Sequence, residues 1–482
     1  MERSLKRQNP VRRKPARRIW VATGVAMTLL SASCSTVTPE QGRERVDALL
    51  ATQLIPNTSA LADDEPSVDA RRAVEIALAQ NTTLQVRYAE LTQAIAQHNR
   101  DARPPNPVVE LTRLGRSEGD ARHPTSVSIA LSLLSLIGQP QRARVAQLEL
   151  DRAIAELAHN TLGVAMAVQT AYVHHAKAYQ AAQIQARMAE AAQIGYELTQ
   201  AFHDAGNVTQ RELLAARAEA SEAKLQALDA EWSSIEARES LLRVMGVRSA
   251  AISLDHGLPL PDPALPALPQ ALQQSQSRFD LRALQVQAQT DAQAMGFERW
   301  ASWFADWEIG WEWEREGDGT RKDGPELSLP LPLFSVGAEA RLAAQANVEA
   351  SRARLEQLAQ TVDYEVRTST ARLANAFERF NEYEQDLLPT MRQMTERAQE
   401  EQNYMLIGVF ELLELKAQEM AAELERMHAL ADYWHARVEL ANAVGSYHPL
   451  PEAENPGDRT PTEQPRTAPH HHHHHHQNQG AR

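Results

Sequence analysis

Between Gln141 and about Ala205 the chain contains no proline and no turn cluster, so this stretch reads as a single helix. About 65 residues rising ~1.5 Å each make a rod of roughly 100 Å, which no compact domain holds. Along it Ile154, Leu157, Thr161, Val164, Val168 and Ala171 recur with three-four spacing, the seam of a coiled coil. The composition agrees. Of the 482 residues 43% are hydrophobic but only 5% aromatic, and most of the apolar content is Ala and Leu. That balance favours long helices with thin interfaces over a thick core.

The pattern occurs twice. "SVDARRAVEIALAQN" and "TTLQVRYAELTQAIAQHNRDA" read as a short and a longer helix, followed by two strands and the long helices, which break at "DAGNVTQ" and end near Gly246. In the second half "LPQALQQSQSRFDLRALQVQAQTDAQAMGF" repeats the opening helices. A strand pair follows, then long helices from Ala338 that break at "YMLIGVFE" and end near Gly445. Leu84 and Leu281, Gly138 and Gly337, Gly206 and Gly408, and Gly246 and Gly445 form landmark pairs, each about 200 residues apart. The proline-rich "LPLPDPALPALP" joins the halves and cannot continue a helix.

The strands distinguish this chain from a plain coiled coil. In "DWEIGWEWEREGDGTRKDGPELSLPLPLF" Trp307, Ile309, Trp311 and Trp313 alternate with Glu308, Glu312 and Glu314, giving one aromatic face and one acidic face. "TSVSIALSLL" alternates in the same way, whereas "VVELTRLG" is weaker, and Pro330 and Pro332 are awkward in a ladder. The linkers "RSEGDARHP" and "GDGTRKDGP" read as polar surface loops. Membrane strands need roughly 9 to 11 residues and aromatic girdles, and four strands cannot close a barrel, so several chains would have to share one. A soluble half-buried sheet packed on helices is the alternative.

The basic leader "MERSLKRQNPVRRKPARR" and the apolar run from Ile19 to Leu30 have the layout of a secretory signal. Ser31, Ala32 and Ser33 then precede Cys34, as in a bacterial lipoprotein signal, although Leu30 lies one residue further away than is usual. A plain cleavable signal remains open. Loss of residues 1–33, with eight basic and one acidic residue, takes the formal charge from −14 to about −21, which argues against nucleic acid as a partner. The single cysteine excludes an intrachain disulfide.

His174 and His175 have no acid or nucleophile near them in sequence, "GDGTRKDG" lacks the context of a phosphate loop, and no Cys/His spacing suits zinc. Neither an enzyme nor a cofactor is expected. Past Pro451 the chain is rich in Pro, Thr and Glu and carries His470, His471, His472, His473, His474, His475 and His476 in an unbroken run. Such a tract is either a purification tag or a ligand for divalent copper, nickel or zinc; the chain continues beyond it to Arg482.

From about Ser67 to Tyr447 the order of these pieces resembles the TolC-like outer-membrane efflux proteins. "NPVVEL", "DAGNVTQRELLAARAEA", "SLPLPLFSVGAEARLAAQA", "YMLIGVFELLELKAQ" and "ALADYWHARVELANAVG" carry the resemblance. It implies a mainly α fold with a small membrane β-barrel part. Long antiparallel coiled-coil helices would form a periplasmic α-barrel, and four strands per chain would join a shared trimeric barrel. The expected parts are a signal peptide (1–33), a lipid-anchored extended segment (34–66) and a first repeat (67–257) with its strand pair near 107–134. A linker (258–269), a second repeat (270–447) with its pair near 306–334 and a disordered His-rich tail (448–482) follow.

The implied function is a passive exit duct in the Gram-negative outer membrane. It would be a homotrimer anchored in lipid at Cys34 and fed by a periplasmic adaptor and an inner-membrane transporter. Adaptor docking falls on the helix-to-helix turns, at Gly206, Asn207 and Val208 and at Gly408, Val409 and Phe410. Glu411 and Glu414, one helical turn apart, fall at the entrance gate, with an ordinary solvated pair as the alternative. Trp307, Ile309, Trp311 and Trp313 would face lipid, and Glu308, Glu312 and Glu314 the lumen. Metal cations, drugs or solvents, and secreted proteins stand as cargo, and a lipid-anchored coiled-coil scaffold stands as the alternative of another class.

Overall fold

The computed structural model describes residues 36–51, 67–115, 123–248, 252–301, 307–329 and 337–451; Cys34, Pro330, Pro332 and the tract His470 to His476 lie outside them. The first element, α1 (Pro39–Ala51), corrects the expectation of an extended segment. "TPEQ" starts it: the Thr38 N–H donates to Gln41 Oε1 at 3.0 Å and the Gln41 N–H to Thr38 Oγ1 at 3.3 Å, a reciprocal cap. Val46 and Leu50 of α1 are buried in a cluster with Leu91, Ile95, Leu150 and Ile154.

Asp69 caps α2 (Ala70–Gln80), and Asn81 caps α3 (Thr82–Asp101) by accepting from the Thr83 and Leu84 amides. Strands β1 (Val108–Arg113) and β2 (Thr125–Ser132) follow, then the short α4 (Leu133–Ile137). The rod expected from the sequence is α5 (Gln139–Asp204), 66 residues with Pro140 in its first turn. Ile154, Leu157, Thr161 and Val168 of the seam are buried, and Val164 and Ala171 are half-buried. Helix α6 (Gln210–Met245) returns antiparallel to α5 and ends at Gly246, whose φ is 77°.

The second repeat begins with α7 (Leu268–Ser275) and α8 (Phe279–Ala301), then β3 (Glu308–Arg315) and β4 (Arg321–Ser328). Strand β4 starts earlier than expected. Arg321 to Pro325, assigned above to a linker, pair with β3, and the connection shrinks to Glu316–Thr320. Helix α9 (Ala338–Glu382) passes through a π turn at Tyr383–Leu387 into α10 (Leu388–Asn403). Pro389 accounts for that widening, because it has no N–H to continue the α ladder. Helix α11 (Val409–Val444) closes the repeat at Gly445, φ 72°.

Several aromatic residues pack where the two repeats meet. Tyr172, Tyr433, Trp434 and Tyr447 are fully buried in one cluster with Leu84, Leu241, Met245, Leu373 and Phe380. The proline-rich connector lies against this core: the Trp434 indole donates to the Pro259 carbonyl at 2.8 Å, satisfying the one polar atom of that buried ring. Among the described residues no helix is long and apolar enough to cross a membrane.

Candidate functional site

The four strands form one antiparallel sheet in the order β1-β2-β3-β4. Register sets its faces. Val109 and Leu111 pair with Ile129 and Val127, which in turn pair with Trp311 and Trp313; Leu131 pairs with Ile309, and Ile309 with Leu327. These side chains share one face, because partners across a ladder point the same way, and Pro325 and Asp323 join it opposite Trp311 and Trp313. Trp307 lies one residue before β3 and its carbonyl accepts from Leu133 at 2.8 Å. The opposite face carries Glu110, Ser126, Ser128, Glu308, Glu312, Glu314 and Glu326.

Among the described residues most of this face is left uncovered, with Val127 and Leu131 half-buried. Val109, Leu111, Ile129, Ile309, Trp311, Trp313 and Leu327 are all exposed, as no soluble half-buried sheet would leave them. The outer edges of β1 and β4 have no strand partner among the described residues. The strands run six and eight residues, shorter than the expected span, and residues 302–306 and 330–336, which adjoin β3 and β4, lie outside the description.

At the far end of the helices are two hairpin turns. In the first, Gly206 takes the left-handed position at φ 79°, and Asn207 N–H donates to the Phe202 carbonyl at 2.8 Å. Thr209 then caps α6 in a box with Glu212, and hydrogen bonds from Thr209 hold the Glu212 carboxyl below its usual range. In the second turn Met405, not Gly408, is left-handed, at φ 60°, and Leu406 N–H donates to the Glu401 carbonyl at 2.9 Å. Gly408 is the extended cap of α11, and Val409 and Phe410 begin that helix. The structural counterpart of Gly206 is therefore Met405, at the same 199-residue offset that relates Gly246 to Gly445.

The offset pairs Gly206 with Met405 and not with Gly408, and leaves Gly408 at the end of the turn with Val409 and Phe410 opening α11. The free end of the second hairpin is Tyr404, Met405 and Leu406, all exposed. The Phe410 ring lies 5.6 Å from that of Phe202 on the first hairpin and remains exposed on its other side.

Glu411 and Glu414, three residues apart on α11, line different grooves. Glu414 lines a groove of about 910 Å³ between the two hairpins with Tyr196, Glu212, Glu219 and Leu413. Glu411 lines a separate groove between α10 and α11, with Glu400 and Glu401. A three-residue step leaves them about 60° apart on the helix, near neighbours that border different helices. Both carboxylates are exposed.

His175, isolated in sequence, acquires a partner. Its Nε2 lies 3.2 Å from His256 Nδ1, and the Tyr179 ring stacks on His256 at 3.6 Å. Burial, then the charges of His256, Arg238 and His174, lower the His175 pKa to about 4, so it is neutral at ordinary pH. Among the described residues no three His, Cys, Asp or Glu side chains converge to hold a metal ion.

The sequence profile of the outer membrane efflux protein family matches residues 73–247. No curated protein matches significantly. Solved structures are similar over most of the chain. The CmeC outer membrane channel of Campylobacter jejuni is 15% identical, covering 87% of this chain and 90% of its own, with a TM-score of 0.64. The outer membrane protein VceC of Vibrio cholerae is 17% identical, covering 78% and 96%, with a TM-score of 0.63. The open state of the MtrE outer membrane channel of Neisseria gonorrhoeae is 17% identical, covering 81% and 94%, with a TM-score of 0.60.

Proposed function

We propose that three copies of the chain form a passive efflux duct, since residues 73–247 match the outer membrane efflux protein family model and the chain has the fold of TolC-like outer-membrane channels. The supporting observation is the sheet: one exposed apolar face, one acidic face and two open edges. Lipid would cover the first, water the second, and neighbouring copies the third, because unpaired backbone groups are not tolerated in hydrocarbon. The barrel would sit in the outer membrane of a Gram-negative cell, with the helices reaching into the periplasm.

Conduction needs no bond chemistry; the protein supplies a path whose walls set which charges enter. Glu308, Glu312 and Glu314 would line the lumen, and Glu411 and Glu414 would lie near the periplasmic entrance. The tips would meet a periplasmic adaptor that connects to an inner-membrane transporter. Cys34 would carry the lipid. Metal cations are the cargo we favour, on the histidine tract alone, with drugs or solvents next; removing residues 470–476 without loss of copper, zinc or nickel tolerance would discard the metal reading.

The deciding experiment is assembly. Outer-membrane fractions should yield heat-modifiable trimers that conduct in planar bilayers. A soluble, non-conducting monomer would replace the duct with the envelope scaffold.

A further inference from the structure

The last register row of the sheet, at the hairpin turns and away from the helices, is basic. Arg113 pairs with Thr125, Thr125 with Arg315, and Arg315 with Arg321, so β1, β3 and β4 each carry an arginine at that end. All three arginines are exposed. Arg315 lies two residues beyond Trp313, and a two-residue step keeps a side chain on the same face, so the row continues the face of Trp311 and Trp313. It stands about 7 Å beyond the Trp313 row, since each residue advances a strand by ~3.4 Å.

Like charges set directly opposite each other on a ladder repel. Arg315 and Arg321 are so placed, yet among the described residues no carboxylate forms an ion pair with Arg113, Arg315 or Arg321. Asp323, the one carboxylate among the described strand residues of this face, lies a row nearer the helices, opposite Trp313. The other face treats its cation differently: Lys322 stands opposite Glu314 and is bound to Glu316. The outward face thus ends in an uncompensated row of guanidinium groups directly above exposed tryptophans. An anion that also carries apolar chains would satisfy both.

We propose that Arg113, Arg315 and Arg321 bind the phosphate groups of a phosphorylated lipid in the outward leaflet of the membrane around the barrel. A guanidinium matches phosphate with paired N–H donors, which an ammonium cannot do, and every basic position of the row is arginine. Arg315 and Arg321, on adjacent strands, would clamp one phosphate, which removes their mutual repulsion. Arg113 stands two strands from Arg315, roughly 10 Å away, and so favours a headgroup with more than one phosphate. The acyl chains would lie along Trp311 and Trp313. Free phosphate would satisfy the row but leave that apolar surface bare. The proposal rests on the duct reading, which turns this face to lipid and the hairpin turns to the cell exterior.

The test uses the full chain, assembled in phosphatidylcholine nanodiscs doped with bisphosphorylated lipid A, with retained lipid counted by native mass spectrometry. The unsubstituted chain should retain this lipid, and about tenfold less of its dephosphorylated form. Arg113→Gln, Arg315→Gln and Arg321→Gln together should lower retention about tenfold or more, and Lys322→Gln, on the other face, should leave it unchanged. Should the triple variant not assemble, Arg321→Gln alone reads the same contact, with about a threefold loss expected. Equal retention of the two lipid forms, full retention by the arginine variants, or displacement of the lipid by inorganic phosphate at equal concentration would overturn the proposal. Trimer formation and conductance of the unsubstituted chain report separately on the duct: their loss sinks the duct, and their survival with unselective lipid retention sinks only the arginine row.

Discussion

The Arg278 guanidinium donates to the carbonyl of Ala443 at 2.8 Å, at the end of α11 and just before the left-handed Gly445. The first repeat has the same arrangement with a neutral group: Asn81 Nδ2 donates to the Val244 carbonyl at 2.7 Å, beside Gly246. Both long return helices are thus tied to the opening helices of their own repeat. Arg278 also pairs with Asp280 at 2.6 Å and Glu365 at 3.0 Å, and is itself buried. Arg278→Ala should cost about 3 kcal/mol, because it strands Asp280 without its cation. Asn81→Ala should cost about 1–2 kcal/mol through the lost cap and the lost carbonyl bond. Denaturant unfolding of the trimer checks both, and equal losses would show that the charge adds nothing. Burial opposes ionisation of Asp280, but the hydrogen bonds and charge of Arg278 outweigh it and hold the carboxyl below the usual range. This contribution is therefore present above about pH 4 and lost as pH falls through the lowered folded value.

His175 gives a pH dependence in a different window. Its neutral form is favoured in the fold, with a pKa near 4 against 6.5 when unburied. As pH falls from about 6.5 toward 4, the unfolded chain takes up a proton that the folded chain refuses, so stability declines over that range. His175→Gln should flatten the slope. An unchanged slope in the variant would assign the effect to His256 or to the other histidines.

The two tips should respond in opposite directions to glycine chemistry. Gly206→Ala forces a side chain into the left-handed region and should cost about 1 kcal/mol, whereas Met405→Gly relieves it and should gain up to about 1 kcal/mol. Local opening measured by amide exchange at residues 201–212 and 400–411 reads each hairpin separately. Destabilisation by Met405→Gly would mean that the methionine packs in the assembly.

On the sheet, Trp311→Arg should lower trimer stability by about 2–4 kcal/mol if the tryptophan faces lipid, and by far less if it faces water. Brominated lipids should quench Trp311 and Trp313 in membranes, and iodide should not. Glu312→Gln with Glu314→Gln should reduce cation preference, read from reversal potentials. The opposite quenching pattern would exchange the two faces.

Glu411 and Glu414 line different grooves yet are neighbours three residues apart on α11. Glu411→Ala and Glu414→Ala should each change conductance, and the double variant should depart from the product of the single effects, because like charges this close couple. Unchanged conductance in all three variants would remove both from the entrance.

Periodicity and spacing alone determined the long rod, the doubled plan and the alternation of Trp311 and Trp313 with Glu312 and Glu314, because each is a local pattern repeated along one element. Short capping signals were legible too, and "TPEQ" could have revealed α1. Sequence could not tell which residue of the second turn is left-handed. Glycine permits that conformation but does not require it, and only the folded backbone, with φ 60° at Met405, identifies the residue. Nor could it separate Glu411 from Glu414, whose surroundings depend on helices distant in the chain, or bring His256 to His175, 81 positions away. Backbone pattern is a property of neighbours in sequence; the environment of a side chain is set by neighbours in space, and these only the packed helices decide.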